Sequence, residues 1–260
     1  MNGDAVGGDA RSGDVTSGDV TSGVELVVVA PDGATLEVLT LPHGADPEAR
    51  LAAAGWYLVG LLDAVRADDV VQIRVHAERG EAVASLPEPA EQPSNGAGAG
   101  AAGERPVPYQ RVACYGVVIG ERRLLLTELS ERVSGAAGSW NLPGGGLDPG
   151  ELPLDGLVRE IWEETGHDVV RARLADVETR HWVGRSPGGR LEDFHAVRLI
   201  YRAQVAQVRE PVVHDVGGST ARARWVSREE IPDYPIVPTV QRALTRIGWD
   251  RATGPTALRP

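Results

Sequence analysis

The sequence predicts an α/β protein whose mixed sheet carries helices on both faces, preceded by a small ββαββ module. Three observations lead there. Apolar–polar alternation marks strands at residues 111–119, 123–127, 169–183, 194–208 and 222–226. A helix lies between the second and third of these, and another closes the chain at 238–247. A separate short run of strands around one helix occupies residues 24–77.

Taken in order, residues 1–23 are Gly, Asp, Ser and Thr, with SGDVT repeated at Ser12 and Ser17, and read as a disordered acidic tail. Residues 24–30 form an apolar strand, Pro31-Asp32-Gly33 a turn, and 34–40 a second strand, which makes a hairpin. Asp46 caps a short helix with Pro47 at its first position, and Gly55 ends it. Strands at 56–65 and 70–76 complete the small α+β module, 24–77. His43 and His76 stand alone there, and a lone histidine is more often a surface or packed residue than a ligand. The module reads as accessory or as a dimerisation element, so a homodimer is among the expected states.

Residues 78–107, rich in Pro, Gly and Ala with no apolar period, form a flexible linker to the second domain, 108–250. Within that domain a tight Gly120-Glu121 turn joins the first two strands, and loops are expected at 134–139 and 186–190. Ser227 and Glu230 have capping-box spacing for a short helix. Residues 251–260 form a loose tail.

Composition narrows the function. A hydrophobic content of 42% is enough to fill a core, so the chain as a whole is not disordered. There is no lysine, and all 26 basic residues are arginine; the bias suggests a GC-rich genome. The net charge of −11 argues against a nucleic-acid polymer as partner, since a phosphate backbone needs a basic footprint. Cys114 is the sole cysteine, which excludes an internal disulfide and fits a reducing cytoplasm. The N-terminus lacks the basic start and apolar core of a secretory signal. The longest apolar run, 51–65, is interrupted by Gly55, Gly60 and Asp63 and is too short for a bilayer, so no membrane is expected.

The chemistry concentrates in residues 144–167, GGGLDPGELPLDGLVREIWEETGH. Three glycines and an Asp148-Pro149-Gly150 turn lead into a helix carrying Arg159, Glu160, Glu163 and Glu164. Residues three and four apart share a helix face, so Glu163 and Glu164 fall within roughly 60° on either side of Glu160. Leu154, Leu157, Val158, Ile161 and Thr165 occupy the neighbouring arc, the expected packing side. Three carboxylates so placed repel one another unless a cation joins them, and a hard divalent ion, Mg²⁺ or Mn²⁺, suits oxygen ligands.

These residues resemble the signature of the Nudix hydrolases, G-x5-E-x7-R-E-U-x-E-E-x-G-U, with U a bulky aliphatic. Gly145, Glu151, Arg159-Glu160-Ile161, Glu163-Glu164 and Gly166 match; only His167 departs, at a packing position. The resemblance implies an α/β/α sandwich and metal-dependent hydrolysis of a diphosphate bond. The substrate would be a nucleoside diphosphate linked to another moiety, ADP-ribose-like or a modified nucleoside triphosphate. The alternative is a non-catalytic nucleotide-sensing or partner-binding module, but such proteins commonly lose signature glutamates and this chain keeps them all. An isomerase-like reaction would need an activated cysteine, and nothing around Cys114 suggests one.

By the same resemblance, Glu160 and Glu164 are direct metal ligands, Glu163 joins directly or through water, and the Gly144 carbonyl completes the set. Arg159 clamps Glu151 or Glu163 with its guanidinium fork. Gly145, Glu151 and Gly166 are structural. The general base is a signature glutamate or a loop carboxylate, Glu210 or Asp215. Asp215 is favoured because Gly217-Gly218 let its loop bend over the site. Arg180, Trp182 and Arg190 are the substrate-binding candidates, with Tyr115, Trp140 and Trp225 as further aromatic surfaces. Glu192, Asp193 and His195 form a second polar cluster that touches substrate or caps a strand.

Overall fold

The computed structural model describes residues 23–81, 104–133, 135–186 and 188–249. The acidic tail, most of the linker and the C-terminal tail expected above lie outside the described residues.

The first four strands form one sheet, β1 (Gly23–Val29), β2 (Thr35–Thr40), β3 (Trp56–Ala67) and β4 (Val70–Arg79), in the order β2-β1-β4-β3. The expected β1–β2 hairpin is present, β3 and β4 form a second, and the two meet through a parallel β1–β4 pairing. That places the Val-rich β1 at the centre, where an almost continuous apolar strand belongs. Helix α1 (Pro47–Ala53) begins where its cap requires: the Asp46 carboxylate accepts the Ala49 N–H.

The second sheet has seven strands. β5 (Val107–Gly120), β6 (Arg123–Leu129), β9 (Val169–Arg185), β10 (Leu191–Val205) and β11 (Thr220–Ser227) run in the order β11-β6-β5-β10-β9. The short β7 (Trp140–Asn141) and β8 (Gly144–Gly146) pair with β6 and β5. β5 and β10 pair in parallel and β9 and β10 antiparallel, so the sheet is mixed. The β5–β6 turn falls one residue later than expected, on Glu121 and Arg122, both with positive φ (49° and 63°). Two left-handed residues match the twist of a tight hairpin, and the strand pairing imposes them without a glycine.

Helix α2 (Pro153–Thr165) lies on one face of this sheet and α3 (Pro238–Arg246) on the other, which gives the α/β/α sandwich. Leu157, Ile161 and Thr165 are buried, but Leu154 and Val158 are exposed; the buried stripe instead takes in Pro153, Gly156 and Glu164. The core under α2 is continuous with the four-stranded sheet, joining Val28 and Ile73 to Leu157, Ile161 and Leu199. A second cluster lies under α3, with Val117, Leu126, Ile200, Val240 and Leu244. The capping-box pair acts as expected: Ser227 N–H donates to the Glu230 carboxylate at 2.9 Å, ahead of a 3-10 turn at Ile231–Asp233.

Candidate active site

Each glycine of Gly144-Gly145-Gly146 makes room for something. A side chain on Gly144, whose φ is 143°, would meet the Cys114 carbonyl. One on Gly145 would lie 2.5 Å from Oε1 of Glu160, and one on Gly146 would occupy the place of the Arg111 guanidinium. The loop therefore approaches both β5 and α2 at backbone distance. Asp148-Pro149-Gly150 turns the chain, with Glu151 N–H bonded to the Asp148 carbonyl at 3.0 Å. Gly166, in the left-handed region at φ 69°, ends α2.

Arg159 is the hub. Its Nε and Nη2 donate to the two oxygens of Glu151 at 2.8 and 2.9 Å, and Nη2 also reaches the Gly146 carbonyl at 3.1 Å. Its Nη1 is shared by Glu160 at 2.9 Å and Glu163 at 3.1 Å. The two clamp partners that the sequence left as alternatives are thus both used, and Glu160 is added. This fork holds the Glu151 carboxyl below the usual range and raises the guanidinium pKa in turn. The Glu151 carbonyl further accepts from Arg66 of β3 at 2.8 Å.

Glu164 points away from the fork. Its Oε2 accepts the Gly144 N–H at 2.9 Å and its Oε1 the Thr220 hydroxyl at 2.5 Å. Burial pushes its pKa up to about 7; the bonds from Thr220 and Gly144 oppose that, while the charges of Glu160 and Asp215 add to it. Burial likewise raises Glu160, against the pull of Arg159.

Asp215 is exposed, on the segment between β10 and β11. The N–H groups of His214 and Asp215 donate to the Glu163 carbonyl at 2.7 and 3.1 Å, which ties this loop to the end of α2. Gly217 has φ 85°, and the Asp215 carboxylate rests where a Gly218 side chain would be. Glu210 is also exposed on this loop.

Arg180, Trp182 and Arg190 gather near one end of β9 and β10. Strand register aligns Tyr109, Phe194 and Trp182 across β5, β10 and β9, with ring centroids 5.3 and 4.3 Å apart. Arg190 lies over the Tyr109 ring and bonds Glu192 at 2.7 Å; Arg180 lies over Trp182. By strand alternation, Arg111, Tyr115, Arg180 and Arg198 share this face. Burial raises the Tyr115 pKa, with the charges of Arg198 and Arg111 opposing it and those of Glu164 and Glu160 adding to it. Trp140 and Trp225 are core residues.

Three other side chains named from the sequence take the following places. His167 packs in place of the aliphatic: it is fully buried, with its ring edge-on to Trp225 and ring nitrogens against Thr165 Oγ1 and the Arg209 carbonyl. Burial raises the pKa of the Cys114 thiol, so it is not an activated nucleophile. His43, solitary in sequence, lies against His181, Asp193 and His195. Sequence reasoning missed Thr220, Arg111, Arg198, Tyr109 and Phe194, whose roles depend on strand register; an aromatic at the parity of Trp182 was the one available signal.

A family model described as NUDIX domain matches residues 109–246, just over half of the chain. The RNA pyrophosphohydrolase of Cereibacter sphaeroides is 29% identical over 139 residues, which covers 48% of this chain and 80% of that protein. Phosphatase NudJ of Escherichia coli is 30% identical over 124 residues, covering 48% and 71%. Among solved structures, a MutT NUDIX hydrolase from Burkholderia pseudomallei is 28% identical and covers 54% of this chain and 98% of its own, with a TM-score of 0.43. No helix among the described residues is long and apolar enough to cross a membrane. The signature and the family-model match over residues 109–246 agree: the chain belongs to the Nudix family and is a pyrophosphohydrolase.

Proposed function

We propose that the reaction is metal-dependent and that its substrate is a nucleoside diphosphate linked to another moiety, ADP-ribose-like or a modified nucleoside triphosphate. The donor set suits a hard divalent ion, Mg²⁺ or Mn²⁺: Glu160, Glu163 and Glu164 offer only oxygens, and the Gly144 carbonyl adds another. Two observations support the fit. Glu164 is a buried carboxylate with no cationic side chain paired to it among the described residues, and the bare Cα of Gly145 leaves the Glu160 carboxylate against the loop. When bound, the ion would screen the diphosphate charge and polarise the phosphorus centre.

The remaining work falls to this chain's own groups. Arg159 keeps Glu160 and Glu163 from drifting into solvent, as its shared Nη1 indicates. Asp215, close enough to perturb Glu164, would accept the proton of the attacking water. Arg180 and Arg190 would pair with phosphate oxygens, and Trp182, backed by Phe194, would stack on the base.

The observation that carries this reading is the Arg159 fork, which binds Glu151, Glu160 and Glu163 at once and so prepares the carboxylates as a unit. The test is a panel of ADP-ribose, ordinary and modified nucleoside triphosphates, a dinucleotide and a short triphosphorylated RNA. Cleavage of the diphosphate bond of a small nucleotide, giving AMP and ribose 5-phosphate from ADP-ribose or a nucleoside monophosphate and pyrophosphate from a triphosphate, is expected and should be lost in excess chelator. Tight nucleotide binding without turnover on any member would replace it with the sensing reading.

A further inference from the structure

A second constellation sits away from the signature carboxylates. His43 comes from the connection between β2 and α1, His181 from β9 and Asp193 from β10. One ligand atom from each lies within 4.8 Å of the others. Asp193 Oδ1 is 3.4 Å from His43 Nε2 and also bonds His181 Nε2, so two imidazoles converge on one carboxylate oxygen. A third ring closes the group: His195 stands directly across from His181 in the β9–β10 register, its centroid 5.4 Å from that of His43.

The hydrogen bonding here is incomplete. Nε2 of His43, Nδ1 of His181 and Nε2 of His195 are buried with no hydrogen-bond partner among the described residues. His195 is wholly buried, with Nδ1 held by the Gln110 amide oxygen at 3.0 Å. Burial and the neighbouring His43 and His181 rings push the His195 pKa down to about 4, against a pull from the Ala45 carbonyl. Buried polar atoms are ordinarily satisfied, and an unsatisfied His43 Nε2 at 3.4 Å from Asp193 Oδ1, with unpaired ring nitrogens on His181 and His195 beside it, is a costly arrangement for a core. An ion accepting lone pairs at the centre removes the conflict over protons. Side-chain exposures of 28% for His43 and 26% for Asp193 leave the group reachable from solvent.

We propose that His43, His181 and Asp193 bind a zinc-class divalent transition-metal ion that ties the β2–α1 connection to the β9–β10 hairpin. Two imidazoles and one carboxylate form a borderline nitrogen–oxygen set, which selects Zn²⁺ and its neighbours over Mg²⁺. Three protein ligands leave a coordination position open, on a site chemically distinct from the all-oxygen set on α2. One ligand comes from the segment preceding the Nudix match and two from within it, so the ion stabilises the docked arrangement that Arg66–Glu151 and Arg246–Glu48 also hold. This inference does not depend on the substrate or the catalytic metal of the hydrolase.

The test uses the full chain, stripped with chelator and titrated with Zn²⁺ against a chromophoric competitor in excess Mg²⁺. One Zn²⁺ per chain is expected. His43→Gln and Asp193→Asn should each weaken it at least about tenfold, since even loss of a group that only supports a ligand costs that much. Glu164→Gln should leave it intact. X-ray absorption at the zinc edge of the wild-type chain should show outer-shell scattering from two imidazoles, a readout that holds even if a variant fails to fold. Absence of bound Zn²⁺, equal binding by His43→Gln, loss in Glu164→Gln, or a spectrum with oxygen scatterers alone would each overturn the proposal.

Discussion

Thr220 donates its hydroxyl to Oε1 of Glu164 at 2.5 Å, joining the start of β11 to the last turn of α2. Together with the Gly144 N–H it holds a carboxylate that burial has raised to about 7. For a carboxyl raised in the fold, the protonated form is the favoured one. Its contribution to stability is complete below the unfolded value, about 4.5, and is lost as pH rises through about 7. A metal ion competes with that proton, so ion binding should strengthen across pH 7.

Glu164→Gln should therefore abolish turnover and yet melt higher than wild type at pH 8 in chelator, with no gain below pH 5. The removed charge is worth at most on the order of 3 kcal/mol, and the amide loses one acceptor at about 1–2, so a net gain of about 1–2 kcal/mol is expected. Thermal melts of both proteins at the two pH values check the sign.

Thr220→Val keeps the shape and deletes the donor. Glu164 should titrate higher still, moving the acid limb of the rate profile to higher pH, with about 1–2 kcal/mol less stability at pH 8. An acid limb that stays put would show that Thr220 does not tune Glu164.

Arg159→Gln leaves Glu151, Glu160 and Glu163 without their shared cation. A loss of about 2 kcal/mol is expected in metal-free buffer, between the values for exposed and buried ion pairs because the side chain is 26% exposed. Denaturant melts should show Mg²⁺ restoring part of it. Arg159→Lys should behave like the Gln variant in activity, since one ammonium cannot reproduce the fork.

Gly145→Ala places a methyl 2.5 Å from Glu160 Oε1. The carboxylate must move while the fold stays, so circular dichroism should be unchanged and kcat should fall at least about tenfold. Steady-state kinetics with saturating Mg²⁺ check this.

The signature was legible because its residues meet through helix spacing, a property of neighbouring positions. Asp46 and Pro47 at the start of α1, and Ser227 with Glu230, were legible for the same local reason. Thr220 was not, since its partner is fixed by where β11 lies against α2. Leu154 and Val158 fit the apolar period but turned outward, because Glu164 and Gly156 took up the buried stripe. The histidine group was the least legible, for it needs the β9–β10 register and the packing of a segment more than a hundred residues upstream. The β5–β6 turn was placed one residue early because its left-handed residues, Glu121 and Arg122, follow from strand pairing rather than from residue type.

The central claim is that the carboxylates of α2 share a divalent ion during diphosphate hydrolysis. Mn²⁺ titration followed by electron paramagnetic resonance at pH 8, with the zinc-class site first filled, measures this directly. The account predicts a bound Mn²⁺ in the wild-type chain whose affinity falls steeply in Glu164→Gln and Glu160→Gln, in step with turnover. Equal Mn²⁺ binding by those variants, or full turnover with the ion absent, would contradict it.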